Sequence, residues 1–374
     1  MRIAVNTRFL LKGKLEGIGW FTYQTVERIV RDHPEHEFVF FFDRPYDPMF
    51  VFAPNVTPVV VHPQARHPIL FYIWLEWSIP AMLRKYKIDL FLSTDSFMSL
   101  STKVPTCLVI HDLAFEHYPE HFVLAHRLYW RHYIPLFAKK ATWIATVSTF
   151  SKEDIVKHYG IDRGHIDVVY NGIHDEYRPL TVAEREEVKN KYAEGCEYFV
   201  FAGALHPRKN IVNLLKAFIA FRIKQPTDMK LVIAGRPAWK YDEVGQLRAE
   251  MEFKDEVKWL GYMDVDELSR VTGGAYALVY ASLFEGFGVP IVEAQQCDVP
   301  AIVSNTSSMP EVAGNAALMV NPNDVQDIAD KMHQLYEDEA LRTRLIANAR
   351  IQRQKFSWEL SAQKLWDCMM KCVT

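Results

Sequence analysis

The 374-residue sequence holds no apolar run long enough to cross a bilayer. Its most apolar stretch, PILFYIWLEWSIPAML (68–83), falls short of a span and is broken by Glu76 and Pro80. A buried helix accounts for it, and a membrane-docking surface is the alternative. The start, MRIAVNTRFL, reads as a strand and lacks the apolar core of a signal peptide. Cysteine is scarce and odd in number: Cys107, Cys196, Cys297, Cys368 and Cys372 form no Cys-x-x-Cys. Reduced thiols in a cytoplasmic protein explain that usage. A net excess of positive charge is also lacking. The formal net charge of −3 gives no support to a nucleic-acid binder.

What is there is globular: 49% hydrophobic and 24% charged residues, in a chain too long for one ordinary core. Short Val-, Ile- and Phe-rich runs alternate with helix-length segments. The first series of expected strands is 2–6, 37–42, 90–94, 106–112, 142–148 and 165–171. The second is 198–203, 230–235, 257–262, 276–282, 300–305 and 316–322. This α/β alternation predicts two doubly wound, Rossmann-like domains with parallel sheets, and a ligand site in the cleft where they face each other. The rhythm lapses and charge rises over 171–195. The expected boundaries are therefore an N-terminal domain 1–175, a linker 176–195 and a C-terminal domain 196–356. The segment 357–372 places Trp358, Leu365, Trp366, Met369 and Met370 at near-helical spacing, a helix in need of an apolar surface.

The chemistry concentrates in SLFEGFGVPIVEAQQCDVP (282–300), where Glu285 and Glu293 lie eight positions apart. On one helix they would be separated by about 12 Å, more than the roughly 5–9.5 Å of a glycosidase carboxylate pair. Two glycines and Pro290 instead predict a turn that opens a helix at about Pro290, with Glu285 in the loop and Glu293 in the first helical turn. Gly286 and Gly288 let the backbone approach a ligand, and the N–H groups around Phe287, Gly288 and Val289 would face a diphosphate or a sugar. Glu293 would repel a phosphate but suits a pair of hydroxyls. The plainer accounts are dipole complementarity for Glu293 and a solvated loop acid for Glu285. Upstream, GALHPRKN (203–210) sets Arg208 and Lys209 before a helix with Asn210 as its N-cap, an anion site unless the pair is merely solvated.

The run from Glu285 to Glu293, followed by CDVPAIVSNTSSMPEVAG (297–314), resembles the signature of the retaining glycosyltransferases of family 4. VIHDLAFEHYPE (109–120), TVSTFSKEDI (146–155), VVYNGIHDEYRP (168–179) and GALHPRKN resemble further family stretches, in the right order. The similarity covers nearly the whole chain and is strongest to the branch rich in mannosyltransferases for bacterial surface polysaccharides. It implies the GT-B fold, with the C-terminal helix (357–374) packing back on the N-terminal, acceptor-binding domain and the nucleotide sugar on the C-terminal one. By this resemblance Glu293 holds the ribose hydroxyls, Glu285 sits by the donor sugar, and Arg208 and Lys209 bind the diphosphate. Many relatives carry an arginine where this chain has Ala204, and Arg208 would supply that cation. His111 matches a histidine near the reacting carbon; from the residues alone, a strand-end histidine bonded to a backbone carbonyl is the simpler account. Gly17 and Gly19, in KLEGIGWFTYQTV, match a glycine loop near the donor phosphates and the acceptor, whereas a lone Gly-x-Gly is weak evidence of a dinucleotide site. Ser148 would bond substrate or cap a helix starting near Lys152.

Two patterns point elsewhere. Asp264-Val265-Asp266 has the spacing of a metal-nucleotide site, yet helix capping explains it better. His111, Asp112, His117, Glu120 and His121 fit no zinc spacing, so no metal and no cofactor are expected. HRLYWRHYIPLFAKK (126–140) is an amphipathic helix, or else a surface near a lipid-linked acceptor. The expectation is a cytoplasmic hexosyltransferase, with a peripheral place at the inner membrane face left open. It would move a sugar, mannose among the candidates, from a nucleotide-diphosphate donor to a glycan or lipid-linked glycan. A nucleotide-sugar epimerase of the same fold and a non-catalytic nucleotide-sugar-binding subunit are the rivals.

Overall fold

The structure is a computed structural model that describes residues 1–236 and 242–374. The chain forms two compact units, one of residues 1–172 with 357–374 and one of residues 173–356. The first holds β1 (Arg2–Asn6), β2 (Glu37–Phe42), β3 (Val56–Val60), β4 (Leu90–Ser93), β5 (Thr106–Ile110), β6 (Trp143–Thr146) and β7 (Ile166–Val168). They pair in the order β3-β2-β1-β4-β5-β6-β7, every pair parallel. The second holds β8 (Tyr198–Ala202), β9 (Lys230–Ala234), β10 (Val257–Gly261), β11 (Ala277–Tyr280), β12 (Ala301–Ser304) and β13 (Ala317–Val320). Its order is β10-β9-β8-β11-β12-β13, again all parallel. Each sheet thus reverses direction once, between β1 and β4 and between β8 and β11. Such switch points leave a crevice beyond the strands' carboxyl ends.

The strands carry near-continuous apolar runs because helices cover both faces; Tyr198–Ala202 and Lys230–Ala234 are buried throughout. The one strand unforeseen in the sequence is β3. Pro58 sits at its centre, and a proline is admitted there because β3 is an edge strand with one free side. The apolar stretch 68–83 is only half buried. Trp74, Leu75 and Ile79 enter the core while Ile69, Leu70, Tyr72 and Trp77 stay exposed. Glu76, which interrupts it, turns inward and accepts from Ser99 Oγ and the Leu100 N–H, both at 2.9 Å.

Residues 176–195, read above as the linker, carry a helix of the second unit, Val182–Ala193. Thr181 and Glu184 cap it reciprocally, and it packs on helix Val265–Gly273, where Tyr192 bonds Glu267. The C-terminal helix Trp358–Met370 belongs to the first unit, as the resemblance implied. It lies along helix Gly17–Asp32, with Trp366 stacked 3.6 Å from the His33 ring and Arg28 paired to Glu359 at 2.8 Å. Gly172 makes this return feasible: a Cβ there would come within 2.6 Å of the Trp358 ring. Gly172→Ala should therefore lower the melting temperature through overpacking, by about 1–3 kcal/mol of stability. Calorimetry that finds the variant unchanged would contradict this packing.

Candidate functional site

In the second unit, β8 is followed by Gly203, whose φ of +144° suits glycine, and the chain makes a short turn, Pro207–Lys209, before helix Ile211–Lys224. Asn210 does occupy the N-cap position but not the expected role. Its backbone is left-handed, and its amide donates to the carbonyls of Ala281 at 2.9 Å and Pro322 at 2.7 Å, tying this turn to the loops after β11 and β13. The loop after β11 also gives its Leu283 N–H to the Arg208 carbonyl at 2.8 Å. The two switch-point loops are thus stitched together, and the stitching sets the basic pair against Glu285.

Glu285 is no solvated loop acid; it is 5% exposed. Its Oε1 accepts from Lys209 Nζ at 2.7 Å and Tyr280 Oη at 3.1 Å, and its Oε2 from Arg208 at 3.2 Å. Burial pushes the carboxyl up, but Lys209 and then Arg208 outweigh it, so Glu285 ionises below the usual carboxylate range. Tyr280, buried beside that charge, is held well above the ordinary phenol range. Arg208 also donates to the Phe284 carbonyl at 2.9 Å. The loop is braced from below by two serines: the Glu285 N–H donates to Ser307 Oγ at 3.0 Å, and Ser308 Oγ lies 2.9 Å from the carbonyls of both Glu285 and Phe287. Two cations face one carboxylate, so the cluster keeps a net positive charge where an anion would meet it.

Gly286, Phe287 and Gly288 are buried, and Gly288 (φ +98°) precedes helix Val289–Gln296 with no side chain capping its N-terminus. Pro290 is the second residue of that helix, which places Glu293 beyond the first turn. The dipole account of Glu293 therefore falls. Its carboxyl is 8% exposed, and burial raises its pKa to about 7, against the opposing effects of the Tyr177 hydroxyl and then Lys209.

In the first unit, His111 follows β5. Its Nε2 lies 2.8 Å from the Thr94 carbonyl, and Phe21 meets the ring edge-on at 5.1 Å. Donation to that carbonyl leaves Nδ1 as the acceptor nitrogen. Burial lowers the pKa despite Thr94, Asp112 and Asp95, so the ring is neutral at pH 7. Ser148 is buried and caps helix Thr149–Tyr159, which starts earlier than expected, by accepting from the Ser151 N–H at 3.0 Å. Gly17 and Gly19 both lie in the first turn of helix Gly17–Asp32. A Cβ on Gly19 would meet the Phe9 carbonyl at 2.9 Å, whereas Gly17 is exposed and borders open space. Asp264 caps helix Val265–Gly273, accepting from the Glu267 N–H at 2.9 Å. Asp112 likewise accepts from the Ala114 N–H at 2.9 Å. Sequence reasoning missed Arg8, which pairs with the buried Asp95 at 2.7 Å at the β1/β4 switch point and lies over the Phe9 and Phe71 rings. Tyr177, Tyr280, Ser307 and Ser308 were missed too. Ser307, Ser308 and Tyr177 stand inside the quoted family stretches, and Tyr280 inside the expected strand 276–282, without being singled out.

Two doubly wound parallel sheets, one bearing a carboxylate-organised basic pair at its switch point, are the elements of the GT-B fold. Residues 15–177 match the family described as Glycosyltransferase Family 4, and residues 182–352 match Glycosyl transferases group 1. The chain belongs to the family-4 glycosyltransferases, sugar-transferring enzymes. It is 34% identical over 220 residues to O-antigen chain mannosyltransferase B of Escherichia coli, covering 59% of this chain and 58% of that one. It is 28% identical over 274 residues to O-antigen chain mannosyltransferase RfbU of Salmonella typhimurium, covering 73% and 72%. Among solved structures, Anabaena HepE in complex with UDP-glucose superposes with a TM-score of 0.76 at 18% identity over 98% of both chains. WaaG, a glycosyltransferase involved in lipopolysaccharide biosynthesis, gives 0.76 at 15% over 98% and 99%. At these identities the structures speak for the fold.

Glu293 carries a test of the site's electrostatics. Its folded pKa of about 7 exceeds the ordinary carboxyl value, so the folded state holds the proton more tightly. That stability is fully present below about pH 4.3 and is lost as pH rises through about 7. Glu293→Gln keeps an acceptor for Tyr177 and removes the titration. Its melting temperature should gain on the parent's progressively from pH 5 to 7.5, and a constant offset would refute the buried, proton-holding carboxyl.

Proposed function

We propose that the chain transfers a hexosyl unit, mannose first among the candidates, from a nucleoside-diphosphate sugar to a glycan or lipid-linked glycan, with retention, in surface-polysaccharide synthesis. The observation that carries this reading is the Glu285–Lys209–Arg208 cluster at the β8/β11 switch point. The similarity to O-antigen chain mannosyltransferases supports the sugar and the pathway class. The diphosphate would sit against Arg208, Lys209 and the uncapped N-terminus of helix Val289–Gln296, near the N–H groups of Gly288 and Val289. As the glycosidic bond to the diphosphate breaks, negative charge grows on the leaving oxygen, and fixed cations stabilise it there. The reaction would then need no metal. Glu293 would accept from the ribose hydroxyls. Both oxygens of Glu285 are already engaged, which suits an anchor for the cations and the donor sugar better than a nucleophile. His111 would offer a neutral acceptor nitrogen to a sugar hydroxyl, and the open space at Gly17 would admit substrate. A substitution on one face of the sugar, assisted by the leaving phosphate, follows.

The test pairs a thermal-shift screen of GDP-mannose, UDP-glucose and other nucleotide sugars with product analysis. The donor that stabilises the chain should be consumed only when acceptor is present. Glu285→Gln should lower kcat by about 10²–10³-fold, the scale of losing one transition-state contact, while Glu293→Ala should chiefly raise the donor Kd. Donor isomerised without acceptor would make this an epimerase, and binding without turnover a carrier subunit. A glycosyl group trapped on Glu285 would overturn the mechanism.

A lipid-anchored acceptor would suit one exposed surface of the first unit. Among the described residues no helix is long and apolar enough to cross a membrane. Helix Leu124–Lys140 nonetheless exposes Leu124 (59%) and Leu128 (58%). The neighbouring stretch exposes Ile69 (65%) and Trp77 (67%), brought alongside by ring contacts of Phe71 with Tyr129 and of Tyr72 with Tyr133. From His121 to Lys152 there is no acidic residue, while Arg127, Arg131, Lys139 and Lys140 are basic. Arg131 pairs with Glu116 at 2.9 Å, and apolar side chains beside such a cluster of cations suit the face of an anionic bilayer. The chain should co-sediment with phosphatidylglycerol vesicles and not with phosphatidylcholine ones. Combining Leu124→Glu with Leu128→Glu should cut that binding at least tenfold and spare turnover of a water-soluble acceptor; undiminished binding would remove this surface from the reading.

A further inference from the structure

We propose that His117, Asp154 and His158 form a binding site for a single divalent cation of the zinc type, apart from the donor site and independent of the functional reading above. The three residues offer one ligand atom each, all within 4.8 Å of one another. Asp154 and His158 stand one turn apart on helix Thr149–Tyr159 and so share a face, and His117 ends the short helix Ala114–His117. His117 Nε2 lies 2.9 and 2.8 Å from the two Asp154 oxygens, and His158 Nδ1 lies 3.0 Å from Oδ1.

The chemistry of the set argues for a cation. Asp154 is buried, and its ion-pairing partners are two histidines, groups that are neutral in one state and metal-competent in that same state. A purely structural buried carboxylate is more securely held by arginine or lysine. Two imidazoles and one carboxylate make the donor set of open zinc sites, which keep a fourth position for water. Bonds of about 2.0–2.2 Å in a tetrahedral site put neighbouring donors roughly 3.3–3.5 Å apart. The histidine–aspartate spacings of 2.8–3.0 Å need open by roughly half an ångström, the two imidazole nitrogens, within 4.8 Å of each other, would close toward the same span, and both histidines are exposed enough to move. The sequence hid the site because His117 is distant in the chain from the helical Asp-x-x-x-His that completes it. Helix Ala114–His117 follows His111 directly, and the other helix is the one Ser148 caps. A bound cation would therefore pin the segment that carries His111 to the sheet's next connection.

The test is calorimetric titration of the chelator-stripped full chain with zinc chloride, paralleled by cobalt(II) absorption. One equivalent should bind and raise the melting temperature. His117→Ala and His158→Ala, both at exposed positions, should each weaken binding at least tenfold while folding normally, and Asp154→Asn should do the same. Cobalt should give the ligand-field bands of a nitrogen- and oxygen-ligated ion. The proposal is overturned if no zinc binds, if both histidine variants bind as the parent does, or if a thiolate-to-cobalt charge-transfer band assigns the ion to the cysteines.

Discussion

The second unit is organised around one buried charge. Glu285 pays a desolvation cost that is offset only because Lys209 and Arg208 arrive from the neighbouring strand-to-helix connection. Those cations are placed by the left-handed Asn210 and its bonds across to Ala281 and Pro322. The serine brackets beneath the loop and the Tyr280 hydroxyl complete the enclosure. Removing any one partner leaves another buried group unsatisfied, so the loop has few alternative arrangements. A preorganised cation pair of this kind needs no rearrangement when charge develops beside it.

Much of the architecture was legible in the residues. Strand-helix alternation announces parallel sheets because buried parallel strands tolerate little but Val, Ile, Leu and Phe, and among the described residues twelve of the thirteen strands stand where such runs occur. β3 escaped because Pro58 argues against a strand until its edge position is known. The charged segment 176–195 looked like a linker because an amphipathic surface helix and a tether share their composition. Its Thr181-x-x-Glu184 box was the overlooked sign.

The site was legible in part. The types at 208, 209, 285 and 293 signalled an anion and a polyol, yet their mutual arrangement was not readable. Nothing in the spacing says that the basic pair binds Glu285, since the contact spans more than seventy residues. Glu293 was placed one residue too early in its helix because Pro290 was taken as the opening residue, and its elevated pKa arises from burial, which outweighs the opposing Tyr177 hydroxyl. For His111 the plainer reading is the one observed, a strand-end ring bonded to the Thr94 carbonyl. The backbone bond that seemed the simpler account is what orients the ring.

The return of residues 357–374 to the first unit has a consequence for synthesis. The second unit is continuous in sequence and can fold as it leaves the ribosome. The first is discontinuous. Its sheet emerges early but waits through the whole of the second unit for the helix that covers Phe21, His33 and Cys107. During that interval the surface meant for Trp358, Leu365 and Trp366 is bare. Order of completion is thus the reverse of order of translation, and the early-made half is the one most in need of shelter while the chain is being finished.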